Sequence, residues 1–144
     1  MAATYNYEWS QGEDLTISLI YKSGPQGETQ PVDLTSYSFR MDIVAPDGRP
    51  LAVLNDKAIA DTDPSITGNQ PDNEFEVTMS EDGEILIHLS RALTLPGGHF
   101  YRYITANPPI QNFAYDMFLR DPQDRQKKIM GGVITIERSV TAWQ

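Results

Sequence analysis

Between Phe113 and Thr141 the side chains change character at every step. Phe113, Tyr115, Met117 and Leu119 fall on one face, and Ala114, Asp116, Phe118 and Arg120 on the other. A period of two marks a strand with one face buried. The polar run Asp121 to Gln126 follows; Pro122 fixes φ there, and the Asp121 carboxylate is placed to cap a turn. The return strand directs Met130, Gly132, Ile134 and Ile136 inward, and Gly131, Val133, Thr135 and Glu137 outward. The pattern predicts a long hairpin, with the rest of the chain supplying strands that cover it.

The same alternation recurs upstream. Leu15, Ile17, Leu19 and Tyr21 alternate with Thr16, Ser18 and Ile20. Tyr37, Phe39, Met41 and Ile43 face inward against Ser38, Arg40 and Asp42. The turn Pro46-Asp47-Gly48-Arg49 carries the Asp-Gly pair of a hairpin, and Leu51 and Val53 continue on a short strand. Phe75, Val77 and Met79 form another strand, and a second Asp-Gly turn at Glu81 to Glu84 leads to Ile85, Ile87 and Leu89, which face inward. Ser90 is set to N-cap one helical turn over residues 91–95, which Pro96-Gly97-Gly98 ends. His99 to Ala106 reads as a strand leading to the Asn107-Pro108-Pro109 loop. At the start, Tyr5, Tyr7 and Trp9 alternate; residues 1–12 read either as a first strand or as an arm that packs on a neighbour. Residues 55–73 hold almost no aromatic side chain and read as a long loop.

Turn signals at this spacing, with no strand followed by a long amphipathic helix, predict an all-β, antiparallel β-sandwich. About seven to nine strands and at most one short helix are expected. The 144 residues fit a single domain, with residues 142–144 as a tail. A net charge of -9 disfavours nonspecific nucleic-acid binding and an anionic membrane surface. No apolar run approaches the roughly 20 residues of a membrane span, and no secretory signal is read at the start. With no cysteine, disulfides and thiolate chemistry are excluded.

Candidate chemistry adds little. His88 falls on the outward face of a strand and His99 after a Gly-Gly turn, and neither has a partner at a triad or metal spacing. Asp61-Thr62-Asp63 begins like a calcium loop, but the required glycine and distal glutamate are out of register. Gly97-Gly98 and Gly131-Gly132 lack phosphate-loop spacing. Gly132 is better read as an inward position where another backbone or a large ring approaches closely. No catalytic residue, cofactor or metal is expected. Tyr and Trp are frequent interface anchors, which makes Tyr5, Tyr7 and Trp9 contact candidates. Pro64 and Pro71 in the long loop, Pro108 and Pro109, and Trp143 near the end complete that set.

Several of these stretches recur together in a known order. Gln11-Gly12-Glu13-Asp14-Leu15 precedes Val32-Asp33-Leu34-Thr35-Ser36-Tyr37, then Arg40-Met41 and Gly83-Glu84-Ile85-Leu86-Ile87-His88-Leu89-Ser90. Tyr115-Asp116-Met117-Phe118-Leu119, Gly132 to Ile136 and Val140-Thr141 follow. This succession resembles the small Ig-like β-sandwich structural proteins of tailed bacteriophages. It is similar to siphophage collar proteins that hold lateral tail fibres and to baseplate sandwich modules. Residues 101–112 and the long loop depart from the pattern. The resemblance implies a non-enzymatic virion protein, made in the host cytoplasm and built in several copies into a collar, baseplate or tail-fibre junction. Its partners would be tail-tube, fibre or baseplate components, with neither nucleic acid nor membrane. A carbohydrate- or host-surface-binding module and a capsid decoration protein are the alternatives.

Overall fold

The computed structural model describes residues 3–25, 27, 29–55, 75–105 and 108–139. Eleven strands occur among them: β1 (Ala3–Thr4), β2 (Tyr7–Ser10), β3 (Leu15–Ile20), β4 (Lys22–Ser23), β5 (Gln30–Pro31), β6 (Ser38–Val44), β7 (Pro50–Asn55), β8 (Phe75–Met79), β9 (Glu84–Leu89), β10 (Ile110–Arg120) and β11 (Gln126–Glu137). The number exceeds the expected seven to nine because β1, β4 and β5 are two-residue pieces.

The long hairpin β10–β11 lies in the larger sheet. β10 pairs with β6, β6 pairs with β7, and both β1 and β2 pair with β11. β3, β9 and β8 form a second sheet, while β4 and β5 make a small separate ladder. The two main sheets divide the strands as an immunoglobulin-like sandwich does. The final hairpin, β6 and β7 lie on one side and the remaining long strands on the other. Every long pairing is antiparallel except those of β1 and β2, which run parallel to β11.

The half-buried alternation holds where it was clearest. Phe113, Tyr115, Met117 and Leu119 of β10, Phe39, Met41 and Ile43 of β6, and Ile85, Ile87 and Leu89 of β9 are all buried in one core. Ile134 and Ile136 join them from β11. The register of that strand slips between Met117 and Phe118, and Ile129 is the extra residue. A bulge of this kind sharpens the local twist. A second slip lies between Ile43 and Val44: Leu51 falls at the irregularity, Ala52 and Leu54 pair with Ile43 and Met41, and all three are buried.

The turns follow their chemistry. Gly48 and Gly83 adopt φ of 89° and 80°, which their Asp-Gly turns require. In the β10–β11 turn the Asp121 carboxylate accepts from the backbone N–H of Gln123 at 3.0 Å and of Arg125 at 2.9 Å. Ser90 caps a 3-10 turn, Arg91–Thr94, by accepting from the Ala92 N–H at 3.2 Å.

The strand expected over 99–106 is instead a helical turn, α1 (Tyr101–Ile104). A strand would put Phe100, Arg102 and Ile104 on one face. The helical spacing buries Phe100 and Ile104 and leaves Arg102 in solvent. Among the described residues there are two single helical turns, and they contact each other. Phe100 packs edge-on against Trp9 (5.5 Å) and Phe113 (5.1 Å), and Tyr103 against Phe113 (6.0 Å).

Candidate functional site

The surface with the most defined geometry is the seam where the amino-terminal strands join β11. β2 is fixed at its far end. Gln11, 8% exposed, donates its backbone N–H to Glu137 O at 2.9 Å and its side-chain amide to Thr94 O at 3.1 Å. Its side-chain oxygen accepts from the Ser139 N–H at 3.1 Å, and its carbonyl from the Ser139 hydroxyl at 2.8 Å. Next to it, Gly12 N–H donates to the Thr94 hydroxyl oxygen at 2.9 Å. One buried amide thus ties β2 to the 3-10 turn and to the end of β11.

Trp9 is a core residue, 3% exposed, and its indole N–H donates to Glu13 O at 2.7 Å. Its ring is committed to Phe100, so it does not present the contact surface expected of it. Tyr7 is half-buried, with its hydroxyl 3.7 Å from Met130 Sδ. Tyr5 is 56% exposed, and its ring lies against Tyr7 with centroids 4.7 Å apart. Tyr7 in turn leans on Tyr115 at 5.8 Å.

The backbone under Tyr5 is gripped from three sides. Tyr5 N–H donates to Gly131 O at 3.0 Å, and the Tyr115 hydroxyl donates to Tyr5 O. The Asn6 side-chain oxygen accepts from the Val133 N–H at 3.0 Å. Gly132 makes this approach possible: a Cβ there would overlap the Tyr5 carbonyl oxygen and lie 2.9 Å from its carbon. The expected close backbone approach at Gly132 is present, and the backbone is the chain's own.

Burial pushes the Tyr7 hydroxyl above the usual tyrosine range, reinforced by the neighbouring Tyr5. Burial raises Tyr115 further, with Tyr7 and Asp116 adding to it. Both stay protonated at neutral pH, so the Tyr115 hydroxyl remains the donor that its bond to Tyr5 requires.

β2 also leaves an edge open. In a parallel pair alternate residues turn both backbone groups to one side. With Gln11 bonded to β11, Tyr7 and Trp9 face β11 and Glu8 turns outward, where no strand pairs among the described residues. A shallow cleft lined by Glu8, Trp9, Ser10, Ile110, Thr135 and Glu137 runs across β2, β11 and the start of β10.

The other contact candidates are dispersed or undescribed. Pro108 and Pro109 are exposed, but the Pro108 carbonyl accepts from the Gln111 side chain at 2.7 Å and the Pro109 carbonyl from the Arg138 N–H at 2.9 Å. Pro64, Pro71 and Trp143, with the Asp61–Asp63 pair, lie outside the described residues. Among the described residues no group of three His, Asp or Glu side chains is placed to hold a metal ion. His88 Nδ1 lies 3.3 Å from the Thr16 hydroxyl on the outer face of the smaller sheet. Sequence reasoning had not singled out Gln11, Asn6 or the Tyr115 hydroxyl as parts of this seam.

No family model matches the chain, and no curated protein matches it. Among solved structures, it is similar to a chain in the crystal structure of the ZIG-8–RIG-5 IG1–IG1 heterodimer. The two share 10% identity at a TM-score of 0.42, over 96% of this chain and 83% of that one.

Proposed function

We propose that this chain is a non-enzymatic structural protein of a tailed-bacteriophage virion, an adaptor in the collar, baseplate or tail-fibre junction that docks on neighbouring virion proteins. The order of its sequence motifs supports this reading. The observation that carries the docking role is the exposed Tyr5, its ring against Tyr7 and its backbone carbonyl held by the Tyr115 hydroxyl, beside a strand edge that is unpaired among the described residues. An aromatic anchor already fixed in place loses little rotamer entropy when a partner covers it. The free edge beside it offers backbone groups for strand addition. The residues that carry the motif order are spent on the scaffold. Gln11 bridges three segments, Asp33 caps its own turn through the Thr35 N–H and hydroxyl, and Leu34 is fully buried.

The test is mass spectrometry and cryo-electron microscopy of purified particles from the phage genome that encodes the chain. The protein is expected at a stoichiometry set by tail symmetry, with the Tyr5 edge covered, and Tyr5→Ala is expected to reduce its incorporation. Absence from particles overturns the reading. Binding on a glycan array by the isolated protein would favour the carbohydrate-binding alternative.

A further inference from the structure

The amino-terminal strand is divided into two halves with different commitments. From Trp9 onward it belongs to the core and to the Gln11 junction. Ala3, Thr4, Tyr5 and Asn6 are all exposed, and none of them belongs to the core cluster. β1 ends at Thr4 and β2 begins at Tyr7, so Tyr5-Asn6 is a break in the ladder. What holds the arm is a socket on β10 and β11: the Gly131 carbonyl, the bare Gly132, the Val133 N–H and the Tyr115 hydroxyl.

We infer that this socket accepts the arm of a second copy, so that residues 3–6 exchange between neighbouring molecules with the Asn6–Tyr7 link as the hinge. The occupant is a second copy because the socket is cut to this arm. Its polar groups meet the Tyr5 backbone and the Asn6 amide, Gly132 leaves room for that carbonyl, and the Tyr7 ring receives the Tyr5 ring. Exchange remakes every one of these contacts, so contact energy does not separate the closed form from the exchanged one. Concentration does: a short tether gives the chain's own arm an effective concentration on the order of millimolar. Dilute protein keeps its own arm, and crowding in a symmetric array favours the neighbour's. An arm passed head to tail builds rings or filaments, and a reciprocal swap builds a two-fold dimer. The inference needs no particular assembly or location.

The absence of cysteine from the chain makes the test direct. Ala3 is the parallel partner of Met130. Ala3→Cys and Met130→Cys are prepared as two separate full-length proteins of distinguishable mass, mixed at about 1 mM, near the expected effective concentration, and oxidised. A mixed disulfide should form, several-fold above that of a control pair, Ser18→Cys with Met130→Cys, and should fall away on tenfold dilution. Tyr115→Phe, which frees the Tyr5 carbonyl, should speed its appearance several-fold. Wild-type protein, which needs no substitution at Met130, should show species larger than the monomer by light scattering at the same concentration. A mixed disulfide no more abundant than the control overturns the inference. So does wild-type protein that stays monomeric, or oligomers that form without the Ala3–Met130 link.

Discussion

Gly131 and Gly132 are adjacent in β11, yet alanine at the two positions should have different consequences. At Gly132 the new Cβ would overlap the Tyr5 carbonyl oxygen and lie 3.0 Å from Asn6 Oδ1. The obstacle is mainly backbone, so either the sheet deforms or the arm leaves. Deforming a packed sheet costs about 1–3 kcal/mol. Beyond the two-residue β1–β11 ladder, releasing the arm loses three hydrogen bonds: Tyr5 N to Gly131 O, Tyr115 OH to Tyr5 O, and Val133 N to Asn6 Oδ1. At about 1 kcal/mol net each, that is about 3 kcal/mol. Freeing the backbone of residues 3–6 returns about 1 kcal/mol or more per residue, which offsets the loss. Release is the cheaper route, so Gly132→Ala should open the arm while changing global stability by about 1 kcal/mol or less.

At Gly131 the nearest atoms are Asp116 Oδ1 at 2.9 Å, with Lys128 Cε at 3.0 Å and Nζ at 3.2 Å. These are the ends of flexible side chains joined in an ion pair at 2.7 Å, each about half exposed. Opening such a pair costs about 0–1 kcal/mol, and Gly131→Ala should leave the arm in place. Amide hydrogen exchange by NMR separates the cases, with urea unfolding to report global stability. In Gly132→Ala the Tyr5 and Val133 amides should lose protection while Ile17 and Ile87 keep theirs. In Gly131→Ala all four should stay protected. Retained Tyr5 protection in Gly132→Ala, or its loss in Gly131→Ala, would refute the reasoning.

Three further outcomes follow from the same contacts. Gln11→Ala strands the Thr94 carbonyl and the Ser139 N–H in a buried site, and it should lower unfolding stability by about 2 kcal/mol in urea titrations. The backbone N–H groups of Arg125 and Gln123, with the Arg125 guanidinium, hold the Asp121 carboxyl below the usual range. A lowered folded pKa stabilises above the unfolded value of about 3.9 and loses that contribution as pH falls through the lower folded value. Asp121→Asn should therefore lose most relative to wild type at neutral pH, with the difference in melting temperature shrinking in acid. Tyr7 and Tyr115 are raised instead, so the unfolded chain ionises first above about pH 10 and stability falls as pH rises beyond it. An absorbance titration should show two tyrosines that fail to ionise with the exposed ones, and Gly132→Ala should bring Tyr115 closer to them.

The elements legible in the sequence are those whose neighbours enforce one buried face. β6, β9 and β10 pair on both sides and cover a common core, so alternation dictated which residues turned inward. The sequence marks β7 as a short strand without an inward face; the one-residue irregularity opposite Val44 lets Leu51, Ala52 and Leu54 all be buried, and a bulge leaves no fixed mark in a short apolar run. Residues 99–106 were misread because their aromatic and β-branched side chains favour strands. The contrary signal was Arg102, which alternation would have put on the same face as Phe100 and Ile104. The seam was the least legible part. Its polar partners are 110 to 128 residues apart in the chain, as in Tyr115 with Tyr5, Asn6 with Val133, and Gln11 with Ser139. No local period registers a bond of that span. The choice between strand and arm for residues 1–12 had no single answer, because Trp9 behaves as core strand and Tyr5 as exposed arm.

That division governs how the function can be measured. The Gln11 junction and Trp9 fasten β2 to the 3-10 turn, the end of β11 and the aromatic core, buried contacts of the kind that open only with global unfolding. The arm ahead of Asn6 is held by a few bonds nearly balanced by the entropy of ordering it. A partner that covers Tyr5, whether another copy or a different protein, therefore acts on an equilibrium of a few kcal/mol or less, which the global transition scarcely senses. Melting temperature will rank Gln11 variants correctly and overlook variants at Tyr5, Asn6 or Gly132. Probes placed on the arm itself, such as the Tyr5 amide, the Tyr115 hydroxyl or a cysteine at position 3, respond to docking in proportion to how often the arm is seated. A docking variant that moved the melting point as far as Gln11→Ala does, without changing Tyr5 protection, would show that arm and core form one cooperative unit.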